Sequence, residues 1–263
     1  MENVFVIGDI HGKIEMFEEL IKKWNPDNQQ LVLLGDLIDR GEDSYAVVKL
    51  AQELRKKYGA IVLSGNHEKM FLEWLEQPVD SSEKPLDSDE VPIKFYVNHH
   101  PHGGQDTLRS FFKEDVVSKY RPLEIAEMAQ KKFKDELAFI RNFPLYYEWQ
   151  DYIFVHAGVN LSLANWKNTN ESDFYWIRGP FHNATNETGK TIVFGHTTTD
   201  KLNKDGSDKV WISPCGTKIG IDGGAVFGGS LHALSIQGNQ ETIYSVNNDL
   251  CVVENVLNRK ASD

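Results

Sequence analysis

Three short apolar runs near the start of the chain, VFVI at 4–7, LVLL at 31–34 and IVL at 61–63, each break off at a glycine or one residue before it, and a polar cluster follows. The clusters read GDIHG at 8–12, GDLIDRG at 35–41 and GNHE at 65–68. No other feature constrains the fold as tightly. Continuous bulky runs of this length are typical of strands buried on both faces, which implies parallel pairing with crossover helices. Helical spacing fills the gaps: Ile14, Phe17, Leu20 and Ile21 in the first, and Val47, Leu50, Ala51 and Leu54 in the second, behind Asp43 and Ser44 as caps. The first third of the chain therefore reads as βαβαβ.

The carboxyl ends of parallel strands form the crevice in which open α/β sheets bind ligands, so clusters delivered there converge in space. Asp9, His11, Asp36, Asn66 and His67 carry the oxygen and nitrogen donors that borderline divalent metals prefer. The pattern returns later. A hairpin pairing 145–149 with 152–155 ends at His156 and Gly158, and the apolar residues 192–194 lead into Gly195 and His196. One GDxHG, or one histidine at a strand end, is an ordinary turn. Three glycine-led clusters in order, each one βα unit apart, are not.

With 263 residues and 40% hydrophobic content the chain can bury a sizeable core, and we expect one domain over 1–263. The acidic, proline-punctuated stretch 78–92 reads as a surface loop. A net charge of −11 and a pI near 5.3 argue against nucleic acid as a partner. Cys215 and Cys251 are too few for a disulfide framework and lack metal-site spacing. Without a basic leader or an apolar run of spanning length, the expectation is a soluble cytoplasmic protein with no membrane partner.

The ordered set GDIHG, GDLIDRG and GNHE, with His156, GHTT at 195–198 and IDGGAVFGGSLHAL at 221–234, resembles the phosphoprotein phosphatases, serine/threonine phosphatases of the calcineurin-like metallophosphoesterase superfamily, in their compact bacterial and phage-type form. The resemblance implies an α/β metallophosphoesterase sandwich of two mixed β-sheets flanked by helices. It also implies two divalent metal ions, manganese first, with iron or zinc as alternatives. Asp9 and His11 would bind one ion, Asn66, His156 and His196 the other, and Asp36 both. His67 would be the general acid, oriented by Asp39 and favoured by it as imidazolium, while Arg40 and Arg178 would grip the phosphate. A hydroxide shared by the metals would then attack a phosphomonoester in line, with no phosphoenzyme.

Departures from the pattern sort the relatives. Thr198 stands where generic metallophosphoesterases carry a further histidine, which favours the phosphatase branch. Symmetrical dinucleoside tetraphosphate hydrolases typically read GDLVARG and GNHD, whereas Asp39 and Glu68 are present here. A phosphoanhydride needs less help from a proton than a serine or threonine ester does. On these grounds a phosphoprotein substrate ranks first, a dinucleoside tetraphosphate or other small phosphoester second, and an inactive phosphate-binding scaffold last. Ser64 replaces an arginine of some phage-type members, and His102, beside His99 and His100, replaces an asparagine. His182 and His232 are expected to serve packing or solvent. The run 131–143, after Pro122 at a helix start, reads as one amphipathic helix over the core.

Overall fold

The computed structural model describes residues 2–77, 102–257 and 259, so the expected loop at 78–92 and also His99 and His100 lie outside the described residues. The chain opens with β1 (Asn3–Ile7), α1 (Ile14–Ile21), β2 (Gln29–Leu33), α2 (Ser44–Tyr58) and β3 (Ile61–Val62), which is the expected βαβαβ. Then come α3 (Asn66–Glu76), α4 (Gly104–Phe112), α5 (Pro122–Lys132), α6 (Lys134–Arg141), β4 (Tyr146–Trp149) and β5 (Tyr152–Val155). The remainder is α7 (Glu171–Trp176), α8 (Gly179–His182), β6 (Thr191–Phe194), β7 (Trp211–Ile212), β8 (Lys218–Gly220), β9 (Leu231–Gln237), β10 (Gln240–Val246) and β11 (Val252–Val256).

The strands form two mixed sheets. One has the order β11-β10-β9-β1-β2-β3, with β1, β2 and β3 parallel and β9 antiparallel to β1; the other has the order β4-β5-β6-β8-β7, with β5, β6 and β8 parallel. The apolar runs explain the layering. In β1, Val4 and Val6 face the second sheet and meet Phe154, Val193 and Ile219, while Phe5 and Ile7 point the other way into a core shared with Phe17, Leu20, Val47 and Phe71 of the helices. A third apolar cluster lies on the far face of the second sheet, where Val155 and Phe194 pack against Phe174 of α7, Phe181 of α8 and Ile177 between them. The result is helix, sheet, sheet, helix.

Local signals behave as expected at α2. The Asp43 carboxylate accepts the Ala46 N–H at 2.9 Å, and the helix stops at Gly59 in the left-handed conformation. One expectation is corrected: 131–143 is not one helix. α5 begins with Pro122 in its first turn, and the chain breaks at Phe133, whose φ of −114° and ψ of 39° separate it from α6. Phe133 is buried against Phe111 and Phe112, so aromatic packing wins over helical continuity.

Candidate metal centre and active site

Six strand ends meet in one place. Asp9 and His11 follow β1, Asp36, Asp39 and Arg40 follow β2, and Asn66 and His67 open α3 after β3. From the other sheet come His156 after β5, His196 after β6 and Asp222 after β8. Contacts between the two sets join them: the His196 N–H donates to Asp9 Oδ2 at 2.9 Å, and His156 Nδ1 lies 3.0 Å from the Leu34 carbonyl. The convergence demands unusual backbone. Among the described residues eight non-glycine positions have positive φ, and five of them are His11, Asp36, Asp39, Arg40 and His196. Left-handed backbone at such residues costs about 1–3 kcal/mol each and persists only where the surroundings impose it. Gly65 and Gly195 are required for a different reason, since a Cβ at either would collide with Asp36 Oδ1 or Asp9 Oδ1 respectively.

The ring nitrogens indicate what the cluster is built to hold. His11 Nδ1 lies 2.8 Å from the Ile38 carbonyl and His156 Nδ1 lies against Leu34, so in a neutral ring each Nδ1–H donates to backbone and each Nε2 is left as a bare acceptor. Those acceptors face other acceptors. His156 Nε2 is 2.9 Å from Asn66 Oδ1 and 3.5 Å from Asp36 Oδ1, while His11 Nε2 is 3.4 Å from Asp36 Oδ2. His196 Nδ1 stands 2.8 Å from the same Asn66 oxygen. At His11 Nε2 the Arg40 guanidinium donates at 2.7 Å, supplying positive charge. Among the described residues only three buried side-chain polar atoms lack a hydrogen-bond partner, and two of them, Asp9 Oδ1 and His196 Nε2, belong here.

The electrostatics point the same way. Burial, with repulsion from Asp222 and Asp36, holds the Asp9 carboxyl well above the usual range. Burial likewise raises Asp36 to about 7 and Asp222 to about 6. It presses the histidines down, His156 to about 4 and His11, His67 and His196 well below the ordinary imidazole value. Buried acids crowd one another beside neutral rings whose lone pairs turn inward, and divalent cations relieve both strains. Two groups have ligand atoms within 4.8 Å of one another, His11, Asp36 and His67 in one and Asp36, His156 and His196 in the other, and Asp36 is common to both. The donors therefore fit two metal ions. Asp9 lies outside these two groups but adjoins them through His196.

Around this core the supporting groups are fixed by hydrogen bonds. His67 Nδ1 sits 2.6 Å from Asp39 Oδ2, and the other Asp39 oxygen accepts from Thr107 at 2.5 Å. His67 Nε2 is the ring atom nearer the centre, 3.9 Å from Asp36 Oδ2. Burial, followed by the Arg40 charge, lowers the His67 pKa and so opposes the imidazolium expected beside Asp39. Arg178, solvent-exposed at the start of α8, donates to Thr197 Oγ1 at 2.9 Å and feels the attraction of Asp222, Asp9 and Asp36.

Two residues near the centre escaped sequence reasoning. Glu68 reads in GNHE as one more acid, yet its carboxylate accepts three backbone N–H groups, from Asp36 at 2.9 Å, Leu37 at 2.7 Å and Gly65 at 2.9 Å. Asp222 lies inside a segment noted only for its resemblance; its position just after an apolar strand, before two glycines, was the available signal. Of the departures, Ser64 is buried 3.3 Å from the Tyr175 hydroxyl, and His102 is half-buried, with its charge felt at His67. His232 is buried between Ser245 and the Asp208 carbonyl, and His182 stacks on Phe194.

Comparison with known proteins gives three findings. The model of the calcineurin-like phosphoesterase family matches residues 3–221. The asymmetrical bis(5'-nucleosyl)-tetraphosphatase PrpE of Oceanobacillus iheyensis is 26% identical over 256 residues, covering 87% of this chain and 86% of that protein, whereas serine/threonine-protein phosphatase 1 of Salmonella typhimurium is 44% identical over 73 residues, 27% of this chain and 32% of that one. A crystal structure assigned provisionally to a diadenosine tetraphosphatase shares the fold with a TM-score of 0.59 and 19% identity, covering 97% of this chain and 93% of that one.

Proposed function

The chain belongs to the calcineurin-like phosphoesterase family, and on that premise we propose that it hydrolyses dinucleoside tetraphosphates at the buried centre around Asp36. It is a metallophosphoesterase with a fold of two mixed sheets flanked by helices. Among the described residues no helix is long and apolar enough to cross a membrane. The observation that carries the choice of substrate is the extent of similarity: the tetraphosphatase relative aligns over 87% of the chain, the serine/threonine phosphatase over 27%. This reverses the order in which the sequence motifs rank the two substrates.

In this reading Asp9 and His11 would hold one divalent ion, Asn66, His156 and His196 would hold the other, and Asp36 would serve both. When bound, the ions supply Lewis acidity toward phosphate oxygens and an activated water. Manganese is our first choice, and mixed nitrogen and oxygen donors also suit iron or zinc. Arg40 and Arg178 offer paired N–H donors to phosphate oxygens. Asp39 fixes the His67 ring through Nδ1, so that Nε2 faces the departing oxygen and gives up a proton when the ring is imidazolium, the form Asp39 favours and burial opposes. Water's oxygen joins phosphorus as a bridging P–O bond breaks; the leaving phosphate takes the Nε2 proton, and the proton that water gives up restores the ring. Strands from both sheets build this centre, which supports residues 1–263 acting as one unit.

A phosphoprotein substrate remains the second reading because of one contact. The 2.6 Å pairing of His67 with Asp39 is the device an alkoxide leaving group needs most. Turnover of diadenosine tetraphosphate, a phosphoserine peptide and a phosphotyrosine peptide at matched metal loading tests the proposal. We expect kcat/KM for the dinucleotide to lead by tenfold or more, an estimate of about 1.4 kcal/mol in transition-state stabilisation, and a lead for either peptide overturns it. Product analysis adds a second check, since ATP plus AMP matches the asymmetrical cleavage named for the relative and two ADP matches symmetrical cleavage. Absence of any chelator-sensitive turnover, including that of p-nitrophenyl phosphate, would leave only the scaffold reading.

A further inference from the structure

We propose that Phe227 is a stacking platform for a nucleobase of the substrate, an inference that rests on the dinucleotide reading above. Phe227 is 67% exposed, the most exposed large hydrophobic side chain among the described residues. The others, such as Leu123 on α5 and Val253 on β11, belong to segments that contribute nothing to the centre. Phe227 is different in its position, because the Arg40 guanidinium carbon lies 5.2 Å from its ring centroid while Arg40 also donates to His11 Nε2. The ring is therefore an apolar surface mounted directly beside the metal centre.

Its mounting is tight. Phe227 ends a short turn, Ala225–Phe227, flanked by Gly224 and Gly228, both in left-handed conformations. Asp222 Oδ1 accepts the Gly224 N–H at 2.9 Å, the Gly224 carbonyl accepts from Phe227 at 2.8 Å and from Gly229 at 3.1 Å, and the Asn248 amide donates to the Gly228 carbonyl at 3.1 Å. The turn is thus tied to Asp222, itself part of the cluster at the strand ends. A large apolar ring held in water by a well-bonded turn forgoes the stabilisation that burial would bring.

The occupant follows from which face is open. Arg40 lies over the ring, and the ring's exposed surface is available to a planar partner. Offset aromatic partners sit with centroids about 4.5–7 Å apart, which puts such a partner about 10–12 Å from the guanidinium carbon if the three lie in line. A phosphotyrosine ring is bonded through one oxygen to the reacting phosphorus and cannot span that gap, and phosphoserine carries no ring. A nucleoside joined to the reacting phosphorus through one or two further phosphates spans it. Base stacking tolerates any base, because every base has a π face.

Steady-state kinetics on Phe227→Ala with diadenosine tetraphosphate and with tripolyphosphate, which has no base, test the inference. We expect KM for the dinucleotide to rise about 5- to 150-fold, the range of base stacking on an aromatic side chain, with the rise for tripolyphosphate at least fivefold smaller and Phe227→Trp retaining low KM for the dinucleotide. A role confined to steadying Arg40 would raise both KM values equally, and that result overturns the inference, as does an unchanged dinucleotide KM; in either case the dinucleotide reading itself stands. Failure of the wild-type protein to hydrolyse the dinucleotide sinks the reading, and the inference with it.

Discussion

Replacing Glu68 by glutamine tests how the centre is supported. The Glu68 side chain is fully buried; its Oε2 accepts N–H groups from Asp36 and Gly65, and its Oε1 accepts from Leu37. A glutamine of the same shape keeps one acceptor. The less costly orientation leaves its oxygen with Asp36 and Gly65 and turns its amide nitrogen toward the Leu37 N–H, donor against donor. One buried N–H then goes unpaired, about 1–3 kcal/mol, and two charge-assisted bonds become neutral, for a total of about 2–4 kcal/mol. Burial, followed by repulsion from Asp36, already pushes the Glu68 carboxyl up to about 7, so losing the charge itself recovers part of the cost. For a chain of this size the loss corresponds to a fall in Tm of about 5–15 °C. Because the same N–H bond helps hold Asp36 at its φ of 49°, metal affinity should fall as well. Urea unfolding and manganese titration of Glu68→Gln read both effects. A variant within about 0.5 kcal/mol of wild type, the scatter of ordinary surface changes, with unchanged metal affinity would refute the reasoning.

Other perturbations have equally direct readouts. Asp36→Asn should lose metal at both positions together, measured as metal content per chain, and with it nearly all turnover. Divalent metal at about 100 times its Kd should stabilise the chain by about 2.7 kcal/mol, seen as a Tm rise that chelator reverses and that Asp36→Asn lacks. His182 is held down to about 4 and His232 below its ordinary 6.5, in both cases chiefly by burial. The unfolded chain protonates both at 6.5 while the folded one resists, so stability is complete above 6.5 and falls as pH drops toward 4; His182→Gln should flatten that slope in urea titrations across the window. Lys218 is 1% exposed, and its ammonium donates to the carbonyls of Phe181, His182 and Ala184 at 2.9, 2.8 and 2.6 Å. Lys218→Met should cost about 2–4 kcal/mol and, by loosening α8 behind Arg178, raise KM for phosphate-rich substrates.

Most of the frame was legible because period and punctuation agree. In β1 the four side chains from Val4 to Ile7 are buried, alternately toward the second sheet and toward the helices, and that is what a run such as VFVI encodes. The strand-end donors other than Asp222 were legible for the same reason, since each lies in the turn that follows its strand. What escaped depends on partners remote in sequence. Glu68 gains its role from N–H groups at Asp36 and Leu37, some thirty residues away. Phe133 interrupts a helical pattern because Phe111 and Phe112 offer it an aromatic pocket. Substrate choice was the least legible, because Asp39 and Glu68 match the phosphatase motifs whereas the similarity that spans 87% of the chain is to a tetraphosphatase.

Asp36, in the proposed centre, serves two ion sites at once. Anomalous diffraction from crystals grown with manganese measures this directly. Two peaks that share Asp36 are expected, one flanked by Asp9 and His11 and the other by Asn66, His156 and His196. A single peak, or two that do not have Asp36 in common, would contradict it.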